Sequence, residues 1–198
     1  MLSYLTVTDL VRLRQVSRVW NQLSSQPFLW RNVKLKGIQI NDWQYLAKNI
    51  IESYSSVGVD FDGVKSSPDL CEFWRNFSQI VDYLKSVRHL RFGTIPTFVL
   101  EEIANAAVTE NPYNSFNNLE ELTVKNCFEE ESDIKECRLS FLADFHALQS
   151  LKSLHLNCKN GFIADDNAIE LLTDVFKQMP SLETLVLTSL KGLNSDQN

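Results

Sequence analysis

The chain has 198 residues, 44% of them apolar and 11% aromatic, enough to bury a continuous core, which excludes disorder over most of its length. The formal charge of −6 divides unevenly: Arg12, Arg14, Arg18, Arg31, Lys34 and Lys36 stand against Asp9 alone in residues 1–36, a net +5, so the other 162 residues carry −11. Such a split either steers an acidic partner to the N-terminal end or merely solvates a helix face; it argues against nucleic acid along the body. With no run of eighteen apolar residues and no signal-peptide start, the sequence predicts a soluble intracellular protein with no membrane partner.

The first element is helical. Thr8 is placed to cap a helix beginning at Asp9, and Leu10, Leu13, Val16, Trp20 and Leu23 recur at steps of three and four, with Arg12, Arg14 and Arg18 on other faces. Pro27 then opens a turn that carries Phe28, Leu29 and Trp30 into an extended segment. Full burial of a large side chain stabilises by roughly 1.5–3 kcal/mol, so Trp20 and Trp30 need a cover, supplied either by the body or by a partner.

From Trp30 onward a pattern apolar-x-x-apolar-x-apolar recurs. Its copies are Trp30-Val33-Leu35, Ser56-Val59-Phe61, Val87-Leu90-Phe92, Leu119-Leu122-Val124, Leu151-Leu154-Leu156 and Leu182-Leu185-Leu187, starting 26, 31, 32, 32 and 31 residues apart. Inward residues two apart are what a short strand needs to bury one face, so about six strands of one parallel sheet are expected.

Between the strands the period becomes helical. Asn41 or Asp42 can cap a helix burying Trp43, Leu46, Ile50 and Tyr54, and Ser67-Pro68-Asp69 starts one burying Leu70, Phe73, Trp74, Phe77, Val81 and Leu84. Others are expected near Thr97, over Phe141, Leu142, Phe145 and Leu148, and after Asp166 over Ile169, Leu172, Phe176 and Met179. Parallel strands need a crossover of about a dozen residues, and every interval supplies one. Units this small cannot bury their own apolar faces, so they must stack. The expected fold class is α/β: a curved parallel sheet with helices on its convex side.

The chemistry-bearing residues are sparse. Cys71, Cys127, Cys137 and Cys158 contain no CxxC pair and read as reduced, mostly buried thiols. His155 precedes Cys158 by three residues without a supporting acid, and Cys127, Cys158 and His155 lack a usual zinc spacing. No catalytic residue, metal or cofactor is therefore expected, and the chain reads as a binding module, not an enzyme.

The repeats resemble the leucine-rich-repeat family over roughly residues 30–190; Cys127 matches the family's asparagine or cysteine after the strand, whereas Ile95, Lys159 and Leu190 do not. The segment before them resembles an F-box. Leu10, Leu13, Val16-Ser17-Arg18-Val19-Trp20, Leu23 and Leu29-Trp30 follow that motif in order and spacing; its first, Leu-Pro-containing helix is missing, with Leu2 to Leu5 looking like its last turn. Only eleven residues follow Leu187, so the chain is expected to be truncated at both ends, with an apolar or fraying C-terminal end and further repeats in the natural product. The resemblance implies a partial F-box at residues 1–31 and a leucine-rich-repeat solenoid at 32–198.

It also implies a substrate-recognition subunit of a Skp-cullin-F-box ubiquitin ligase in the cytoplasm and/or nucleus. Leu10, Leu13, Val16, Trp20 and Trp30 would then bind the Skp-type adaptor, which links to the cullin complex. An unknown protein target would lie on the strand face, at Lys34, Asp60, Arg91, Lys125 and His155. Charges alternate across Lys34, Asp60 and Arg91 and along the row Arg88, Glu120, Lys152 and Glu183, and both ladders are expected to be largely self-paired. Phe128 to Glu136, with Glu129, Glu130, Glu131, Asp133 and Glu136, is either a solvated insertion or a contact for a basic target. The alternative is a repeat scaffold that holds a protein partner outside any ubiquitin ligase.

Overall fold

Val33, Val59, Leu90, Leu122, Leu154 and Leu185 lie side by side across six parallel strands, in the frame that the repeated apolar pattern predicts. This is the register of a computed structural model that describes residues 2, 5–108, 116–130, 137–163 and 168–191. The strands are β1 (Asn32–Lys34), β2 (Gly58–Asp60), β3 (His89–Pro96), β4 (Glu121–Phe128), β5 (Cys137–Arg138), β6 (Ser153–Ile163) and β7 (Thr184–Lys191). β1, β2, β3, β4 and β6 follow in chain order, β7 pairs with β6, and β5 pairs with the far end of β6. Among the described residues the sheet thus holds seven strands rather than six: β5 is only two residues long, too short to produce a pattern in the sequence.

Alternation decides which face is covered. Val33, Leu35, Val59, Phe61, Leu90, Phe92, Leu122, Val124, Leu154 and Leu156 are all buried, and the helical segments pack over them. Phe61 sits within an aromatic cluster, its ring centroid 5.4 Å from Phe92, 5.8 Å from Trp74, 6.1 Å from Trp43 and 6.2 Å from Phe77. Such offset and edge-on contacts each add about 0.5–1.5 kcal/mol beyond area burial.

The connecting segments are helical where expected, with shifted boundaries. Asp42 caps α3 (Trp43–Leu46), which continues as a π-helical turn through Glu52. Asp69, not Ser67, caps α4 (Leu70–Arg75), because its carboxylate accepts the Glu72 N–H at 2.9 Å whereas the Ser67 hydroxyl donates to the Asp69 carbonyl. The rest of that stretch, and Leu139–Ala147 further on, winds as 3₁₀ helix. α5 (Thr97–Val108) and α6 (Ala168–Lys177) complete the set; the proposed cap Asp166 lies outside the described residues.

The N-terminal segment departs from a single helix. Thr6, not Thr8, begins α1 (Val7–Leu13): its hydroxyl accepts the Asp9 N–H at 3.2 Å while the Asp9 carboxylate accepts the Thr6 N–H at 3.1 Å, a reciprocal box that Thr8 has no partner to form. The Thr6 hydroxyl, which donates to the Asp9 carboxylate at 2.6 Å, and then the Thr6 N–H hold that carboxyl below its ordinary range. The chain then turns, and Ser17 caps α2 (Arg18–Ser24) by accepting the Trp20 N–H at 3.3 Å. Among the described residues no helix is long and apolar enough to cross a membrane. At the other end β7 is an edge strand, and Ile169 and Leu185 expose apolar surface beside it; the chain beyond Lys191, like Ser3 and Tyr4, lies outside the described residues.

Candidate functional site

The turn between α1 and α2 divides the expected adaptor residues into two sets. Leu10 is buried beneath α1 and Leu13 is half-buried. Trp30 is wholly buried: its indole N–H donates to the Ser24 carbonyl at 2.6 Å, and its own carbonyl accepts the Ser56 hydroxyl at 2.7 Å. Leu10 and Trp30 therefore anchor the N-terminal segment to the sheet rather than present surface. Val16 and Trp20, by contrast, point outward.

They do not stand alone. Val16 is 65% exposed, Val19 64%, Trp20 39%, Leu23 43% and Phe28 67%, and the first four recur at helical spacing along one side of α2 and the turn before it. Val16 and Trp20 also line a groove with Leu2, Leu5, Leu13, Asp9 and Arg12. Isolated exposed side chains of this kind are ordinary, whereas Val16, Val19, Trp20 and Leu23 follow one another at helical spacing, with Arg12 and Arg18 in the same segment. Val19 was legible as part of it, since it falls three residues after Val16.

Residues 2–36 match the F-box-like family model. The F-box-like segment thus contains the entire exposed strip, together with the six basic residues that give this end its net positive charge. No curated protein matches the chain.

On the sheet, the open face carries Lys34, Asp60, Arg91, Thr123 and His155 in one hydrogen-bonded row, as the repeat frame predicts. Lys125 lies in the next row and pairs with Asp62 across Gly93, which has no side chain to separate them. The Asp60 carboxylate accepts the Asp62 N–H at 2.8 Å, and among the described residues no ion pair reaches Lys34 or Arg91. Lys34, Asp60, His89, Arg91 and Glu121 line one shallow concavity of this face.

The row before the strands is paired over Arg88, Glu120 and Lys152, whereas Glu183 joins no ion pair among the described residues. Glu120 bridges Arg88 at 3.0 Å and Lys152 at 2.9 Å, and the hydrogen bond from Lys152 holds its carboxyl below the ordinary range. Of the acidic loop, Glu129 accepts the Arg138 N–H and Glu130 pairs with Arg75, whereas Glu131, Asp133 and Glu136 lie outside the described residues.

One cluster escaped the sequence reading. Cys127, Cys137 and Cys158 bring their sulfurs within 4.8 Å of one another, all buried, while His155 sits on the open face away from them. Hydrogen bonds from Cys127 and Cys137 favour the thiolate at Cys158, whereas the Cys127 thiol is pushed up by its hydrogen bonds with Cys137 and Cys158 and then by burial.

Proposed function

We propose that the chain is the substrate-recognition subunit of a Skp-cullin-F-box ubiquitin ligase, whose N-terminal helices dock the Skp-type adaptor and whose repeats hold a target. The observation that carries this reading is the exposed strip Val16, Val19, Trp20 and Leu23 inside the segment that matches the F-box-like model. F-box domains bind Skp-type adaptors. Burying a strip of four or five apolar side chains against a partner helix is favourable by several kcal/mol before ordering costs, and the basic rim supports approach of an acidic adaptor.

The parallel strands and their helical crossovers fit a leucine-rich-repeat solenoid over residues 32–198, with residues 1–31 as its docking element. Lys34, Asp60, Arg91, Lys125 and His155 are the proposed target face, supported by the unpaired Lys34 and Arg91 on the open side of the sheet. The chemistry is proximity: the receptor raises the effective concentration of target lysines near a ubiquitin-charged enzyme and transfers nothing itself. Action in the cytoplasm and/or nucleus fits four unbridged cysteines.

The test is recovery of partners on the tagged full chain expressed in cells. Adaptor and cullin should co-purify with the wild-type chain and be lost with Val16→Asp. A stable complex that lacks both, formed equally by wild type and variant, would instead assign a scaffold outside any ligase.

A further inference from the structure

We propose that Cys127, Cys137 and Cys158 form a three-thiolate site for a divalent thiophilic d10 cation, zinc in kind, that fastens β5 to the sheet. The site is independent of adaptor docking, since it lies outside the matched residues 2–36.

The three sulfurs come from three separate strands. Cys127 is near the end of β4, Cys137 opens β5 and Cys158 sits midway along β6; each is at most 1% exposed. The Cys158 Sγ lies 3.2 Å from the Cys137 Sγ, and the Cys127 Sγ lies 3.4 Å from the Asn157 carbonyl oxygen. Zinc–sulfur bonds of about 2.3 Å set the sulfurs of a trigonal or tetrahedral site roughly 3.7–4.0 Å apart. A trio already gathered within 4.8 Å needs only small side-chain shifts to meet that requirement.

Two alternatives fit less well. As mere packing, a buried cysteine is a small hydrophobe, and nothing in that role requires three sulfurs to converge on one point. A Cys137–Cys158 disulfide would leave the third sulfur without a role.

The donor set also selects the ion. Among the described residues the cluster holds thiols alone, with no carboxylate or imidazole, and Phe162 pairs with Cys137 to wall it with apolar surface. Hard, oxygen-seeking cations are excluded by such a site. Three thiolates leave one negative charge around a divalent ion and two around a monovalent one, and a buried net charge is costly, so the divalent ion is preferred. The Asn157 carbonyl, which accepts from Cys127, is an oxygen beside the trio.

The consequence is structural. β5 is two residues long and, among the described residues, its strand partners are Phe162 and Ile163, so an ion shared by β4, β5 and β6 would fasten it further.

The test uses the full reduced chain, purified without chelator and titrated with Cd²⁺ and with Zn²⁺. One equivalent of Cd²⁺ should bind with a thiolate-to-cadmium charge-transfer band, and either ion should raise Tm until a chelator reverses it. Cys137→Ser and Cys158→Ser should each weaken Cd²⁺ binding on the order of a hundredfold or more, whereas Cys71→Ser should not. Should the serine variants fail to fold, Cd²⁺ should still protect Cys127, Cys137 and Cys158 of the wild type from alkylation while Cys71 is labelled. Absence of the band and of any Tm shift, binding untouched by the two folded variants, occupancy by monovalent copper alone, or a Cys137–Cys158 disulfide that persists under reductant would each overturn the proposal.

Discussion

Trp30 and Tyr54 stack with ring centroids 5.1 Å apart and planes 14° from parallel, and this contact joins the F-box-like segment to the first helical crossover of the sheet. The Arg14 guanidinium lies 4.7 Å from the Trp30 ring centroid and 5.1 Å from that of Tyr54, and it also donates to the Tyr54 hydroxyl. The Arg14 Nε is buried without a hydrogen-bond acceptor among the described residues, so the two ring faces are what offset its desolvation. Adaptor docking on the outward strip would therefore act on a segment held firmly from beneath.

Trp30→Ala should cost about 3–5 kcal/mol, because it removes a fully buried indole, its bond to the Ser24 carbonyl and one of the two rings that the Arg14 guanidinium meets. Trp20→Ala, on the exposed strip, should change stability by under about 1 kcal/mol. Urea denaturation of the two variants checks this; equal losses would mean that the two tryptophans do not differ in role.

Gly161→Ala should destabilise by about 1–3 kcal/mol. Gly161 has a φ of +95°, and a Cβ there would stand 2.7 Å from the Ser189 carbonyl oxygen on β7. The same bend produces the register shift between Asn157 and Phe162, so the substitution should loosen β7 first, measurable as faster amide exchange at Leu187 and Leu190. Unchanged exchange on β7 would contradict this.

Glu101→Gln should raise Tm at neutral pH. Burial, and then the charges of Glu129, Glu102 and Asp144, raise the Glu101 carboxyl above its ordinary value. The folded state therefore holds that proton more tightly than the unfolded chain: the ionised group opposes folding above its folded pKa, and the opposition disappears as pH falls below its unfolded pKa. The advantage of glutamine should accordingly shrink to nothing in acid, and thermal melts across pH 3–7 measure it. A constant advantage at every pH would point to a cause other than ionisation.

The sheet was readable because a strand that buries one face must alternate, and Val59–Phe61 or Leu154–Leu156 can alternate in only one register without turning polar residues inward. Boundaries of the crossovers were less readable. Over the nine residues of Leu139–Ala147, an apolar pattern does not distinguish a period of 3.6 from one of 3.0. The single helix expected before residue 24 failed for a local reason: Ser17 offers a capping oxygen in mid-stripe, which turns Leu10 inward while leaving Val16 and Trp20 outside. The thiol cluster left no spacing signal, since the shift after Asn157 displaces Cys158 by one place from the position that Cys127 occupies in its own repeat, and Cys137 arrives from a strand of two residues.

Calorimetric titration of a purified Skp-type adaptor into the full chain tests the docking claim most directly, using wild type, Trp20→Ala and the double variant Val16→Asp, Leu23→Asp. The wild type should bind one adaptor, Trp20→Ala should bind about tenfold or more weakly, as expected when an interface tryptophan is lost, and the double variant should not bind while keeping its Tm. No binding by the folded wild type, or equal binding by all three, would contradict the account.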